Sequence, residues 1–324
     1  MGKIDRVKLF ITQDKMSYQY VDQFGFLPIT DTITISCGEI APIPEFETIV
    51  TAIAKITHPD GNVYPPVSYR ATQKSNGSKL RKISKTKRPG HFQRLPPTHT
   101  LKLDQAFLDE KAARYGLAGF IIHFLGFLYG YRSQFYNWWM DKRIKVVSDC
   151  DHTSPHPKQA SFYLEKAIQA WSSWLPRQQC VAINILYLHT RTSVYESDWE
   201  RFQAEYQVID AIFSLAKTTK KLNKKRVPHA EQIISLCHLY EIPNDLTKIA
   251  EIVKLRNDLL HEALWDGGIP GEAGSEASFR ASYWLHNLSK RIMLAALGMD
   301  NDYIRSPWWF MGRLDFGSNR QDWM

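Results

Sequence analysis

Three side chains close together in the sequence have the chemistry to handle protons and phosphate: Arg256, Asn257 and His261, in the run IVKLRNDLLHEALWDGG. A guanidinium is a permanent cation whose planar fork of donors matches phosphate oxygens, and imidazole both takes and gives a proton near neutral pH. The Asn257 amide can orient either group. At about 100° per residue, Ile249, Ile252, Val253, Leu260, Ala263 and Leu264 share one apolar arc of a helix, and Arg256 falls inside that arc. Asn257 and His261 lie together at its edge, while Glu251, Lys254, Asp258 and Glu262 face away. An unpaired guanidinium removed from water costs several kcal/mol, so Arg256 needs a partner. That partner is either an internal carboxylate such as Glu196, Glu200 or Glu205, or a surface supplied by another chain.

The elements that must hold these residues are helical. The spacing predicts helices over 161–174, 178–191, 195–217, 229–240, 246–265 and 276–297, with Pro176 and Pro243 as breaks. Asn244 or Asp245 can cap the helix that carries Arg256, and Asp266-Gly267-Gly268 is expected to end it. Trp199, Phe202, Tyr206, Ile209, Ile212, Phe213 and Ala216 recur at helical spacing, making 195–217 a principal packing element.

The first seventy residues read differently. Val7, Leu9 and Ile11 alternate with polar neighbours, as do Ile33, Ile35 and Cys37, and 50–57 with 63–69 around Asp60-Gly61 reads as a hairpin. The fold class expected is therefore α+β: a small N-terminal β-rich domain (1–70), a basic Pro/Ser/Lys-rich linker or arm (71–100), a helical aromatic-rich connector (101–157), an all-α bundle (158–300) and an aromatic C-terminal tail (301–324). The apolar run Tyr115 to Tyr131 is short for a bilayer and carries His123 at its centre, so it reads as a buried helix.

Charge is unevenly placed. The 324 residues carry a formal net charge of +8, but Arg70 to Arg94 holds nine Lys or Arg and no acid, leaving 32 basic against 33 acidic groups elsewhere. Lys79, Arg81, Lys82, Lys85, Lys87 and Arg88 in that arm, and Lys220, Lys221, Lys224, Lys225 and Arg226 in a second acid-free run, could hold a nucleic-acid backbone by charge; as an alternative, both runs are simply solvated. The four cysteines show no CxxC spacing, and MGKIDRVKLF has no apolar signal core, so free thiols and a cytoplasmic location are expected. Cys150, His152 and His156 lack a fourth ligand at useful spacing, and no metal or other cofactor is implied. Trp308, Trp309, Phe310 and Trp323 are expected to dock the tail by burial. Phosphate loops, paired-carboxylate motifs and nucleophile elbows are absent from the sequence.

Arg-Asn-x-x-x-His near the end of a helical bundle resembles the signature of the HEPN superfamily. LRNDLLHEALWDGG after HAEQIISLCHLYEIP, and the preceding TRTSVYESDWERFQAEYQVIDAIF, are similar to its Apea-like branch; GFLYGYRSQFYNWWMDKRI resembles a segment found ahead of the bundle in such proteins. The resemblance spans roughly 115–300 and leaves the first hundred residues unmatched. It implies a metal-independent endoribonuclease, of the kind that serves as a toxin or defence effector, that acts on RNA as a homodimer, with Arg256, Asn257 and His261 of two chains forming one composite site. It also leaves room for an inhibitor or antitoxin protein as a partner, and it implies no membrane. The alternative is a non-catalytic HEPN-like module for dimerisation or RNA binding.

Overall fold

The computed structural model describes residues 20–64, 69–74, 77–82, 96–136, 143–146, 155–220, 222, 227–270 and 274–310. The fold is α+β, with a small antiparallel sheet near the N-terminus followed by helices. Strands β1 (Tyr20–Gly25), β2 (Ile33–Ile35), β3 (Gly38–Pro42), β7 (His99–Leu103) and β8 (Gln134–Phe135) form one sheet in the order β2-β3-β7-β1-β8. The alternation read at Ile33 and Ile35 places both inside, with Thr34 outside, as the two-residue period of a pleated strand requires. The proposed strand at 7–11 lies outside the described residues.

The sheet does not close within the first seventy residues. Its central strand β7 comes from 99–103, where a linker and then a helix start were expected, because Leu101 and Leu103 are both fully buried beside β1 and β3. The expected hairpin over 50–57 and 63–69 is also corrected. Residues Phe46–Ile56 form helix α1, burying Phe46 and Ile53, and β4 (Asn62–Val63) pairs instead with β9 (Ile144–Lys145). A β-branched run misled the period reading here, since Ile49, Ile53 and Ile56 satisfy a helical spacing equally well. Across the expected boundary at 70/71 and into the expected linker, β5 (Tyr69–Lys74) and β6 (Gly77–Lys82) form a two-stranded hairpin.

Helix α2 (Glu110–Arg114) is tied to β1 by a two-pronged ion pair, Arg114 Nε to Asp22 Oδ2 at 2.7 Å and Nη2 to Oδ1 at 3.0 Å. Every residue of α3 (Leu117–Tyr129) is buried, which explains a run with no polar face. Together α2 and α3 are long and apolar enough to cross a membrane by length and composition, but most of that stretch lies inside the protein. Helices α4 (Pro157–Ser172) and α5 (Pro176–Arg191) pack on α3, α6 (Asp198–Thr219) packs on α5, and α7 (His229–Leu239), α8 (Leu246–Asn257) and α9 (Glu276–Ala296) complete the helical part, so that sheet and helices share one apolar core. Helix α6 is central, touching α5, α7 and α9. After the short α10 (Asp302–Arg305) the tail docks: Trp308 is fully buried and donates its indole N–H to the Pro243 carbonyl at 2.8 Å, whereas Phe310 is half exposed. Trp323 lies outside the described residues. Cys37, Cys180 and Cys237 are free thiols.

Two buried histidines give this core a pH dependence. His99 donates through Nε2 to the Ile29 carbonyl at 3.0 Å, and burial pushes its pKa down to about 4. His123 is likewise pushed down to about 4, mainly by burial and secondarily by Arg132. Unfolded, both titrate near ~6.5, so between those values the unfolded chain binds protons that the fold does not. Stability is therefore full above about pH 6.5 and is lost as pH falls toward 4, by up to roughly 3 kcal/mol per histidine. Urea unfolding at pH 7.5 and pH 4.5 should show this drop, and His123→Leu should reduce it; a midpoint independent of pH over that window contradicts the assignment.

Candidate functional site at the end of α8

Asp245 starts α8 by accepting the backbone N–H groups of Thr247 and Lys248, and Ile249 and Ile252 bury its inner face. The helix then departs from the expected course. Residues Asp258–Glu262 form a π turn that ends at Ala263, which adopts a left-handed conformation with φ 55°. The chain therefore leaves the helix before Asp266-Gly267-Gly268. In a regular helix Arg256 and His261 are about 140° apart and cannot meet. The wide turn bonds residues five apart, and this spacing is that of Arg256 and His261.

As a result the three residues singled out in the sequence touch one another. Arg256 Nη1 donates to Asn257 Oδ1 at 3.0 Å and lies 3.2 Å from His261 Nε2. A guanidinium can only donate, so His261 Nε2 accepts; the ring in this arrangement is neutral, with its proton on Nδ1. The same turn corrects the helical wheel. Leu259 is buried, whereas Leu260, Ala263 and Leu264 are exposed rather than part of the core arc.

Arg256 is half buried. Its guanidinium lies over the Tyr206 ring at 5.7 Å, and its Nε is shielded from water without a hydrogen-bond partner among the described residues. The internal carboxylates weighed for it are engaged elsewhere. Glu205 bonds His189 and His286, Glu196 pairs with Arg143, and Glu200 accepts the Ser197 backbone N–H. The acid whose field reaches Arg256 is Asp210, one turn beyond Tyr206 on α6, and it lies 3.8 Å from His229 Nδ1 at the start of α7. Burial raises the Asp210 pKa, opposed by His229 and Arg256. The His229 pKa is lowered by burial first and then by Arg256 and His261, with Asp210 acting against them. Two imidazoles, a guanidinium, an amide, a phenol and a carboxylate thus meet where α6, α7 and α8 converge. Sequence reasoning missed Tyr206, Asp210 and His229. Their signal was an i, i+4 pair on α6 facing the α8 motif, and the His229 that opens α7.

The basic residues are only partly placed. Lys79, Arg81 and Lys82 lie on β6, and Lys220 is exposed at the end of α6. Lys85, Lys87, Arg88, Lys221, Lys224, Lys225 and Arg226 lie outside the described residues. The second basic run is the connection from α6 to α7, so in sequence it ends three residues before His229. Of the weighed metal candidates, Cys150 and His152 lie outside the described residues, and His156 caps α4.

Comparison with protein-family models, with curated proteins and with solved structures finds no significant match.

Proposed function

We propose that this protein is a metal-independent endoribonuclease whose active groups are Arg256, Asn257 and His261, and that two chains combine their motifs into one site. The observation that carries the reading is the contact of the Arg256 guanidinium with His261 Nε2 at 3.2 Å, produced by a π turn at the end of an otherwise regular helix. Such turns concentrate at functional sites because they interrupt an otherwise favourable helix.

The chemistry follows from the groups. His261 Nε2 is held as an acceptor and can take the proton of an RNA 2′-hydroxyl; the oxygen then attacks the adjacent phosphorus. Arg256 neutralises the charge that builds on the phosphorane oxygens, and its fork is already oriented by Asn257 and by Tyr206 beneath it. A protonated His261 of the partner subunit gives its proton to the departing 5′-oxygen. The P–O5′ bond breaks, leaving a 2′,3′-cyclic phosphate and a 5′-hydroxyl. The partly desolvated Arg256 and the exposed Leu260 and Leu264 beside His261 support a two-fold contact at this end of α8. The basic segments would supply backbone attraction without base specificity.

Single-stranded RNA incubated in EDTA should be cut to cyclic-phosphate ends, and a strand with one 2′-deoxy position should resist cleavage at that position alone. Cleavage of the all-deoxy strand, or a strict need for added metal, would falsify the mechanism. The second reading, a non-catalytic RNA-binding or dimerisation module, is favoured if RNA is bound and left intact. Service as a toxin or defence effector under an inhibitor belongs to the same proposal, and expression that harms cells only while His261 is present supports it.

A further inference from the structure

A second concentration of ionisable groups lies away from α8. His189 Nδ1 on α5 approaches Glu205 Oε2 at 3.1 Å, and His286 Nδ1 on α9 approaches Glu205 Oε1 at 2.7 Å. Thr192 donates its hydroxyl to Glu205 Oε1 at 2.9 Å, and the carboxylate is 1% exposed. The two imidazoles stack, with centroids 4.3 Å apart and planes 14° from parallel. Both line a half-open cavity of about 120 Å³. An apolar cavity of ~150 Å³ takes up benzene, so this one suits a ligand of about six to eight non-hydrogen atoms.

His189, Glu205 and His286 have the residue types of a metal centre, and their ligand atoms lie within 4.8 Å of one another. Their geometry opposes that use. An imidazole coordinates along the in-plane lone pair of a ring nitrogen, and two nearly parallel stacked rings cannot both aim such a lone pair at one ion. Glu205 engages Nδ1 of both histidines, so Nε2 of each is the atom left for a ligand.

The charges around the cavity are mixed. Lys145, Arg201 and Lys290 line it beside Asp198 and Glu205, so a simple anion and a simple cation would each meet repulsion as well as attraction. Glu205 is engaged deep in the protein by the two histidines and Thr192. Asp198 and Arg201 lie nearer solvent, one turn apart on α6, with side chains 30% and 34% exposed, and they hold each other loosely at 4.0 Å. Arg201 donates Nε to the Tyr195 carbonyl at 3.0 Å, which fixes the side chain and leaves its Nη groups for a ligand. Phe127, Phe279 and Tyr283 supply the apolar wall. We infer that this cavity binds a free α-amino acid with a small side chain: its carboxylate on Arg201 and His286, its ammonium on Asp198, and its side chain against Phe127 and Tyr283. An α-amino acid carries both charges on one carbon, which suits a carboxylate and a guanidinium this close together, and alanine, serine, threonine, proline and valine have the required size. The inference stands independently of the α8 site.

The test is calorimetry on the full-length protein with these five amino acids, phenylalanine, the half-molecules propionate and ethylamine, and zinc chloride. At least one of the five should bind with a Kd below about 1 mM, and roughly tenfold or more tighter than either half-molecule, because each half-molecule lacks one ion pair and keeps the repulsion from the unmatched charge. Phenylalanine should bind at least about tenfold weaker than the best of the five, since it exceeds the cavity. Arg201→Gln and Asp198→Asn should each weaken the best ligand at least about fivefold with an unchanged circular dichroism spectrum. Ser282→Leu, which fills the cavity from α9 and leaves both charges in place, should remove binding. Amino acids no tighter than the half-molecules, phenylalanine as the tightest ligand, binding indifferent to all three substitutions, or zinc bound while every amino acid fails each overturns the inference.

Discussion

His261→Ala should lower cleavage of single-stranded RNA by about 10²- to 10⁴-fold, the usual contribution of a positioned general base or acid. In a composite site the substitution removes both proton-transfer groups, so the upper end is expected. Arg256→Ala should cost about 10²- to 10³-fold, as for other single groups that stabilise developing negative charge. Arg256→Lys should restore little, because an ammonium cannot keep the planar approach to Tyr206 while reaching Asn257 and His261. Asn257→Ala should have the smallest effect, since Asn257 orients Arg256. The double variant should fall no further than the weaker single one, because residues that act as one unit are not additive. Stability separates this from a structural role. His261 is exposed, so its replacement should change unfolding free energy by no more than about 0.5 kcal/mol. Full activity in the Arg256→Ala/His261→Ala protein would sink the assignment.

How much of this could be read from sequence depended on the length scale of the signal. Helices α4 to α7 and α9, and the start of α8, were legible within a few residues because their apolar spacing persists over several turns and Pro176, Pro243 and Asp245 mark boundaries, whereas α8 ends at Asn257 instead of running to 265. The sheet was legible only in part. Its central strand arrives from residue 99, and nothing local at His99–Leu103 announces a pairing partner some eighty residues earlier. The burial conflict at Arg256 was visible on the wheel, but the answer was not. A wheel assumes 3.6 residues per turn, and the π turn that joins Arg256 to His261 breaks that assumption while turning Leu260 and Leu264 outward. Glu205 was in view as a possible partner for Arg256. Its place one residue before Tyr206 sends it to the other side of α6, toward His189 and His286.

Glu205→Ala should destabilise the protein by about 3–5 kcal/mol, the range for removing one member of a buried ion-paired network. His189 is pushed toward its neutral form by burial, and Glu205 opposes that shift. In turn, the two imidazoles are the main reason the buried carboxyl remains ionised, its pKa held well below the usual carboxylate range. Without the carboxylate, the Nδ1–H of His189 and the Thr192 hydroxyl lose their acceptor inside the core. Glu205→Gln should cost less, because the amide oxygen still accepts one of these bonds and a histidine can switch tautomer to accept from the amide nitrogen. Urea unfolding of the three proteins at pH 7.5 measures the series. The order wild type, Gln, Ala is the expected one, and a loss below about 1 kcal/mol for Glu205→Ala contradicts the network. Because Tyr206 follows Glu205 on α6 and lies under Arg256, the same substitutions also report on the α8 site. Glu205→Gln, which keeps α6 in register, should retain RNA cleavage.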